Sequence, residues 1–151
     1  MIAWKYLNKK TATADALRDF DSMEFILNNS ADDEMETRER MTALPSLSDG
    51  QPSAHDPRAS ESRLVSQLDE IDIIKERYRQ ALEYMAWFKP AWAELTEEEQ
   101  YILTEFFLHA EMSKTDAVLN IGDKLCLERA QVYRRKDKAV ARLALLLYGK
   151  K

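Results

Sequence analysis

With a single cysteine, Cys126, the chain cannot close a disulfide within itself, and His55 and His109 are too few to build the ligand cluster of a structural zinc site. Those scarcities point to an intracellular protein without a metal. Only three glycines and four prolines leave little for the many tight turns of an all-β fold. No apolar run approaches the roughly 18 residues that a membrane span needs, and the opening Met-Ile-Ala-Trp is not followed by the apolar core of a signal peptide. A cytoplasmic protein with no membrane partner is expected. Catalytic signatures are missing too: there is no phosphate-cradling glycine loop, no nucleophile motif and no histidine-rich site. Paired acids such as Asp32 with Asp33, or Glu97 to Glu99, read as solvated turns and helix caps. No enzyme, cofactor or metal is expected.

What is present is the composition of a soluble helical chain, 45% hydrophobic and 32% charged, so the fold class expected is all-α. The net charge of -5 is distributed unevenly. Residues 124–151 hold nine basic and two acidic side chains, a net +7, which leaves -12 for the first 123 residues. A basic end joined to an acidic body fits a protein whose last segment meets nucleic acid.

Residues 1–43 read as an N-terminal helical arm. Ala16, Phe20, Met23 and Leu27 recur at steps of 4, 3 and 4 on one stripe of a helix over residues 11–29. Trp4 and Tyr6 are expected to pack nearby. Asn28, Asn29 and Ser30 read as a stop, followed by a shorter charged helix to about Met41. Residues 44–60 hold three of the four prolines and one of the three glycines, and form a linker. Residues 61–94 read as a long central helix capped by Ser60 or Ser62. Its Leu64, Leu68, Ile71, Tyr78, Leu82 and Met85 keep a 4 and 3 rhythm interrupted by Lys75. That stripe is either an ordinary core face or a seam for a homodimer. Pro90 is expected to end or bend the helix, with Tyr84, Trp87, Phe88 and Trp92 packed around it.

Residues 95–151 read as the DNA-binding domain. Thr96 and Glu99 have the spacing of a capping box, opening a helix through Tyr101, Ile102, Leu103, Phe106, Phe107 and Leu108. Ser113 or Thr115 caps the next helix, which turns Ala117, Val118, Ile121 and Leu125 inward. A turn at Cys126, Leu127 and Glu128 leads into a last helix ending at Gly149. At 100° per residue, Val132, Ala139, Val140 and Leu143 face the core, and Lys136 must snorkel past them. The remaining surface is basic. Arg129, Gln131, Arg134 and Arg135 near its start are candidates for reading base edges, because arginine pairs bidentately with guanine and glutamine with adenine. Lys138 and Arg142 are candidates for phosphate contacts, and Tyr133 for a phosphate or a thymine methyl.

Thr96-Glu-Glu-Glu-Gln-Tyr-Ile-Leu followed by the pattern of residues 121–143 resembles region 4 of the bacterial sigma-70 factors, and the whole chain is similar to the ArpU-like and RinA-like late-gene activators of phages and prophages. The resemblance implies a sigma-70 region 4-like helix-turn-helix and a transcription regulator of a bacterial host acting on double-stranded DNA. It also implies a homodimer and a contact with bacterial RNA polymerase. Cys126 stands where that pattern has glycine, a position that tends to left-handed backbone. Glu128 stands where it has serine, and Gly122 where it has alanine. Two other functions fit the same sequence: a phage assembly or DNA-packaging protein of the small-terminase kind, and a sigma-like factor that binds core polymerase.

Overall fold

A computed structural model describes residues 6–42, 57–109 and 111–149. Among them every regular element is helical: α1 (Lys9–Thr42), α2 (Pro57–Ala93), α3 (Glu97–Leu103), a π-turn (Thr104–Leu108), α4 (Lys114–Leu125) and α5 (Arg129–Tyr148). Trp4 and residues 44–56 of the expected linker lie outside the described residues. Tyr6, expected to pack, is 77% exposed. The chain divides into two compact units. One joins α1 up to Met23, α2 from Tyr84 onward, and α3 to α5; the other is Glu24–Glu83.

Two boundaries differ from the sequence expectation, the stop at residues 28–30 and the start of α2. α1 runs unbroken through Asn28, Asn29 and Ser30. The amide of Asn29 donates to the Phe25 carbonyl at 2.8 Å and the Ser30 hydroxyl donates to the Ile26 carbonyl, so these side chains satisfy the preceding turn of the helix instead of interrupting it. α2 starts at Pro57, inside the expected linker, and Ser60 and Ser62 lie within the helix rather than capping it. A proline is favoured at a first helical position, where its missing N–H has no partner to lose. Pro90 does not end α2, which continues to Ala93. The hydrogen bond it forfeits is to the carbonyl of Ala86, an exposed residue, where water can take its place.

The first unit closes around Leu17, Phe88, Ala91, Leu95, Leu103, Ala139, Val140, Leu143 and Leu147. Phe88 is its centre: Tyr84 stacks on it at 5.3 Å, Trp92 at 5.8 Å and Phe20 tilts against it at 5.5 Å. The Tyr84 hydroxyl donates to the Ala16 carbonyl, and Trp87 donates its indole N–H to the Leu147 carbonyl at 3.2 Å, so both aromatics bury their rings with the polar atom partnered. Burial, and secondarily the charge of Asp19, pushes the Tyr84 hydroxyl well above the usual tyrosine range. A second cluster, Ile102, Val118, Ile121 and Val132, joins α3, α4 and α5. The π-turn serves both: its extra residue lets the adjacent Phe107 and Phe106 pack against the first and second cluster respectively.

The other unit is a hairpin of two helices. Arg40 lies 3.5 Å from Glu70 and Lys75 lies 4.0 Å from Glu34, a pairing that runs antiparallel. Ile71 and Ala81 of α2 and Ser30 and Thr37 of α1 are its buried side chains. Thr37 donates to the Asp33 carbonyl at 2.9 Å, so its buried hydroxyl is satisfied within its own helix. On the surface of α2, hydrogen bonds from Arg79 and Gln80 hold the Glu76 carboxyl down at about 2. Of the heptad stripe read from the sequence, Ile71 and Met85 are buried, while Leu64, Leu68, Tyr78 and Leu82 stay exposed.

Candidate nucleic-acid interface

The capping signals hold where they were expected. Thr96 accepts from the Glu99 amide at 3.2 Å while the Glu99 carboxylate accepts from the Thr96 amide at 3.0 Å. This reciprocal cap starts α3 and fixes both side chains. Ser113, not Thr115, caps α4, accepting from the Asp116 amide at 3.2 Å. The turn between α4 and α5 is built on Cys126, with φ 54° and ψ 47°, the left-handed conformation expected at that position. The amides of Cys126 and Leu127 both donate to the Gly122 carbonyl. A Cβ at Gly122 would stand 3.0 Å from the Leu127 carbonyl oxygen, so glycine gives this closure room without a shift of the backbone.

α5 turns Val132, Ala139, Val140, Leu143 and Leu147 into the two clusters, buries Ala144 as well, and exposes most of its remaining face. The Glu128 amide donates to the Gln131 side-chain oxygen at 3.2 Å, so Gln131 is held by the start of the helix and keeps its side-chain N–H groups for an outside acceptor. Tyr133 is partly buried, 6.0 Å from Phe106. It carries the Arg129 guanidinium over its ring at 6.0 Å. Lys136 snorkels as expected, its ammonium 5.3 Å from the Phe106 ring, 5.4 Å from Tyr133 and 3.4 Å from Asp137.

Two of the candidate arginines have partners that the sequence did not reveal. Arg135 is paired with Glu98, and Arg142 reaches both carboxylate oxygens of Glu99, at 3.1 and 2.9 Å, and the Glu94 carbonyl at 3.0 Å. The acidic first turn of α3 thus lies along one edge of the basic face and neutralises part of it. Arg134 and Lys138, one turn apart and exposed, have no ion pair among the described residues. Exposed ion pairs contribute at most about 1 kcal/mol. The Arg135–Glu98 pair is of that kind, while Arg142 is held at three points, by both Glu99 oxygens and the Glu94 carbonyl.

Seven candidate residues thus sort by freedom. Arg134 and Lys138 are unengaged cations, Arg129 is steadied on an aromatic ring, Gln131 is half committed to a cap, Arg135 and Arg142 are held by acids, and Tyr133 faces inward. Nothing in the sequence pattern marked Glu94, Glu98 and Glu99 as partners, because the pairing crosses 37 to 48 positions. Among the described residues no cluster of His, Cys, Asp and Glu could hold a metal ion, and no helix is long and apolar enough to cross a membrane. Compared with protein-family models, with curated proteins and with solved structures, the chain has no match.

Proposed function

We propose that this protein is a sequence-specific DNA-binding transcription regulator, in which α4, the Cys126 turn and α5 act as a helix-turn-helix of the sigma-70 region 4 kind. α5 enters the major groove. The observation that carries this reading is the division of α5 into a buried apolar side and an exposed side with two unengaged cations, Arg134 and Lys138, flanked by arginines paired with Glu98 and Glu99. A helix that is fixed from behind and cationic in front is what groove entry asks for. In keeping with the ArpU-like and RinA-like resemblance, its role is activation of phage or prophage late genes in a bacterial host. A homodimer is its working form and RNA polymerase its second partner.

The test is selection of bound duplexes from a random library at physiological salt, followed by titration of variants. Arg134→Ala should weaken the selected site by about 1 to 3 kcal/mol if it reads a base. Lys138→Ala should weaken all duplexes alike and flatten the salt dependence. Glu98→Gln, which releases Arg135, should tighten binding. A selection that yields no enriched sequence would sink the proposal.

A further inference from the structure

The two flanks of the free face of α5 carry opposite charge. Around the helix, Arg135 and Arg142 lie to one side of Arg134, and Tyr133 and Asp137 lie to the other. On the first side stands the acidic start of α3, with Glu98 and Glu99. On the second lies an open cleft of about 550 Å³ between the start of α1, the π-turn, α4 and α5, lined by Lys10, Arg18, Lys114 and Lys136, with Asp137 as its one acid. Aromatic rings back two of these cations. Arg18 stands over the Phe107 ring at 5.7 Å, and Lys136 stands over Phe106 and Tyr133. Each also has one exposed acid beside it, Asp15 at 3.0 Å from Arg18 and Asp137 at 3.4 Å from Lys136. Lys10 and Lys114 are exposed and have no ion pair among the described residues. Neither serves its own helix. Each sits in a first turn, where a cation opposes the helix dipole, and the first turn of α1 contains no acid to offset it.

We infer that this cleft holds the sugar-phosphate backbone of the duplex along one edge of the groove that α5 enters, which makes the start of α1 part of the DNA-binding surface. The inference rests on the groove reading of α5. A helix in the major groove has a phosphate strand on either side of it. The strand on the α3 side would face Glu98 and Glu99, whereas the strand on the other side meets Lys10 and Lys114, so the hold on the backbone is one-sided. Charge is what the cleft offers. Its rings are already covered by Arg18 and Lys136, which suits phosphodiester groups and leaves no open face on which a base could stack. Phosphate contacts fix register and orientation without reading sequence. Arg134 then reads bases, and the cleft sets where along the groove the helix lies.

Titration of the full chain against its selected duplex and against a duplex of unrelated sequence, over a range of salt, tests it. Lys10→Ala and Lys114→Ala should each reduce the slope of log affinity against log salt by about 0.9, and the double variant by about 1.8, on both duplexes alike. The preference between the two duplexes should stay as it is in the parent, and so should the helix content by circular dichroism. Lys89→Ala removes an exposed lysine of the same unit that lies outside the cleft, and should leave the slope unchanged. Cleft variants that keep the parent's slope while Arg134→Ala loses the selected site would overturn the cleft and leave the groove reading standing. Cleft variants that lower the slope on every duplex, with no sequence enriched in selection, would uphold the cleft and overturn sequence-specific reading. Inorganic phosphate at constant ionic strength separates a small anion from the backbone: if the substitutions abolish phosphate binding and spare duplex binding, the cleft serves a small anion and the inference falls. A parent that binds no duplex overturns both.

Discussion

The unit that contains α3 to α5 closes over Phe88, Leu17, Leu103 and Leu143, none of them exposed, whereas in residues 24–83 the side chains nearest full burial are Ala81, Thr37, Ile71 and Ser30. The first interior is made of large apolar groups drawn from four helices and bound together by stacked rings. The second is thin. Its small residues let two helices approach, its hydroxyls are satisfied one turn back along their own helix, and its larger apolar side chains stand outside. An interior of the first kind carries most of the stability of a domain. One of the second kind holds helices in register without supplying much free energy, and gains from whatever covers its outer side.

Three measurements bear on this contrast. The largest effect is expected for Phe88→Ala, which empties the centre of the aromatic stack and should destabilise the first unit by about 3 to 5 kcal/mol in denaturant unfolding. A loss under about 1 kcal/mol would mean that the stack is not the keystone proposed. Next comes alkaline pH. Tyr84 is held neutral by burial, and then by Asp19, so its ionisation is raised in the folded state. The stability this confers is complete below the ordinary value of 10 and is lost as pH rises above it. Absorbance at about 295 nm should then show Tyr84 resisting ionisation until near-ultraviolet circular dichroism reports unfolding; a Tyr84→Phe variant should shrink that delayed step, leaving the part due to Tyr148 and Tyr101, which burial also raises. The smallest effect is expected for Thr37→Ala. Although Thr37 is as buried as the core of the first unit, its loss should shift unfolding by under about 1 kcal/mol, since its hydrogen bond is local and its volume small. A cost like that of Phe88→Ala would erase the distinction between the two interiors.

How far the sequence could be read follows the same division. α3, α4 and α5, the caps at Thr96 and Ser113, and the inward residues of α5 were legible because each depends on neighbours within four positions. The errors arose where local chemistry had two outcomes. Asn29 and Ser30 can break a helix or bond back into it, and a proline can stop a helix, start one as Pro57 does, or sit near its end as Pro90 does. The heptad stripe of α2 was real as a pattern, but Leu64, Ile71 and Tyr78, seven apart on one line, differ in burial according to what lies opposite each along the helix, and no rhythm within α2 contains that. The candidate interface was legible as a set of cations and illegible as a set of free cations. Glu98 and Glu99 read only as the acidic start of a helix until the fold brought Arg135 and Arg142 beside them.

The turn at Cys126 combines two properties on one residue. Its backbone adopts a conformation that a side chain disfavours by about 1 to 2 kcal/mol, and its thiol is exposed and the only one in the chain. The chain therefore carries a unique attachment point for a fluorophore or spin label, three residues before the start of α5 at Arg129. No other cysteine has to be removed first. A probe there would report the approach of a duplex to the start of that helix directly, as a change in its own mobility.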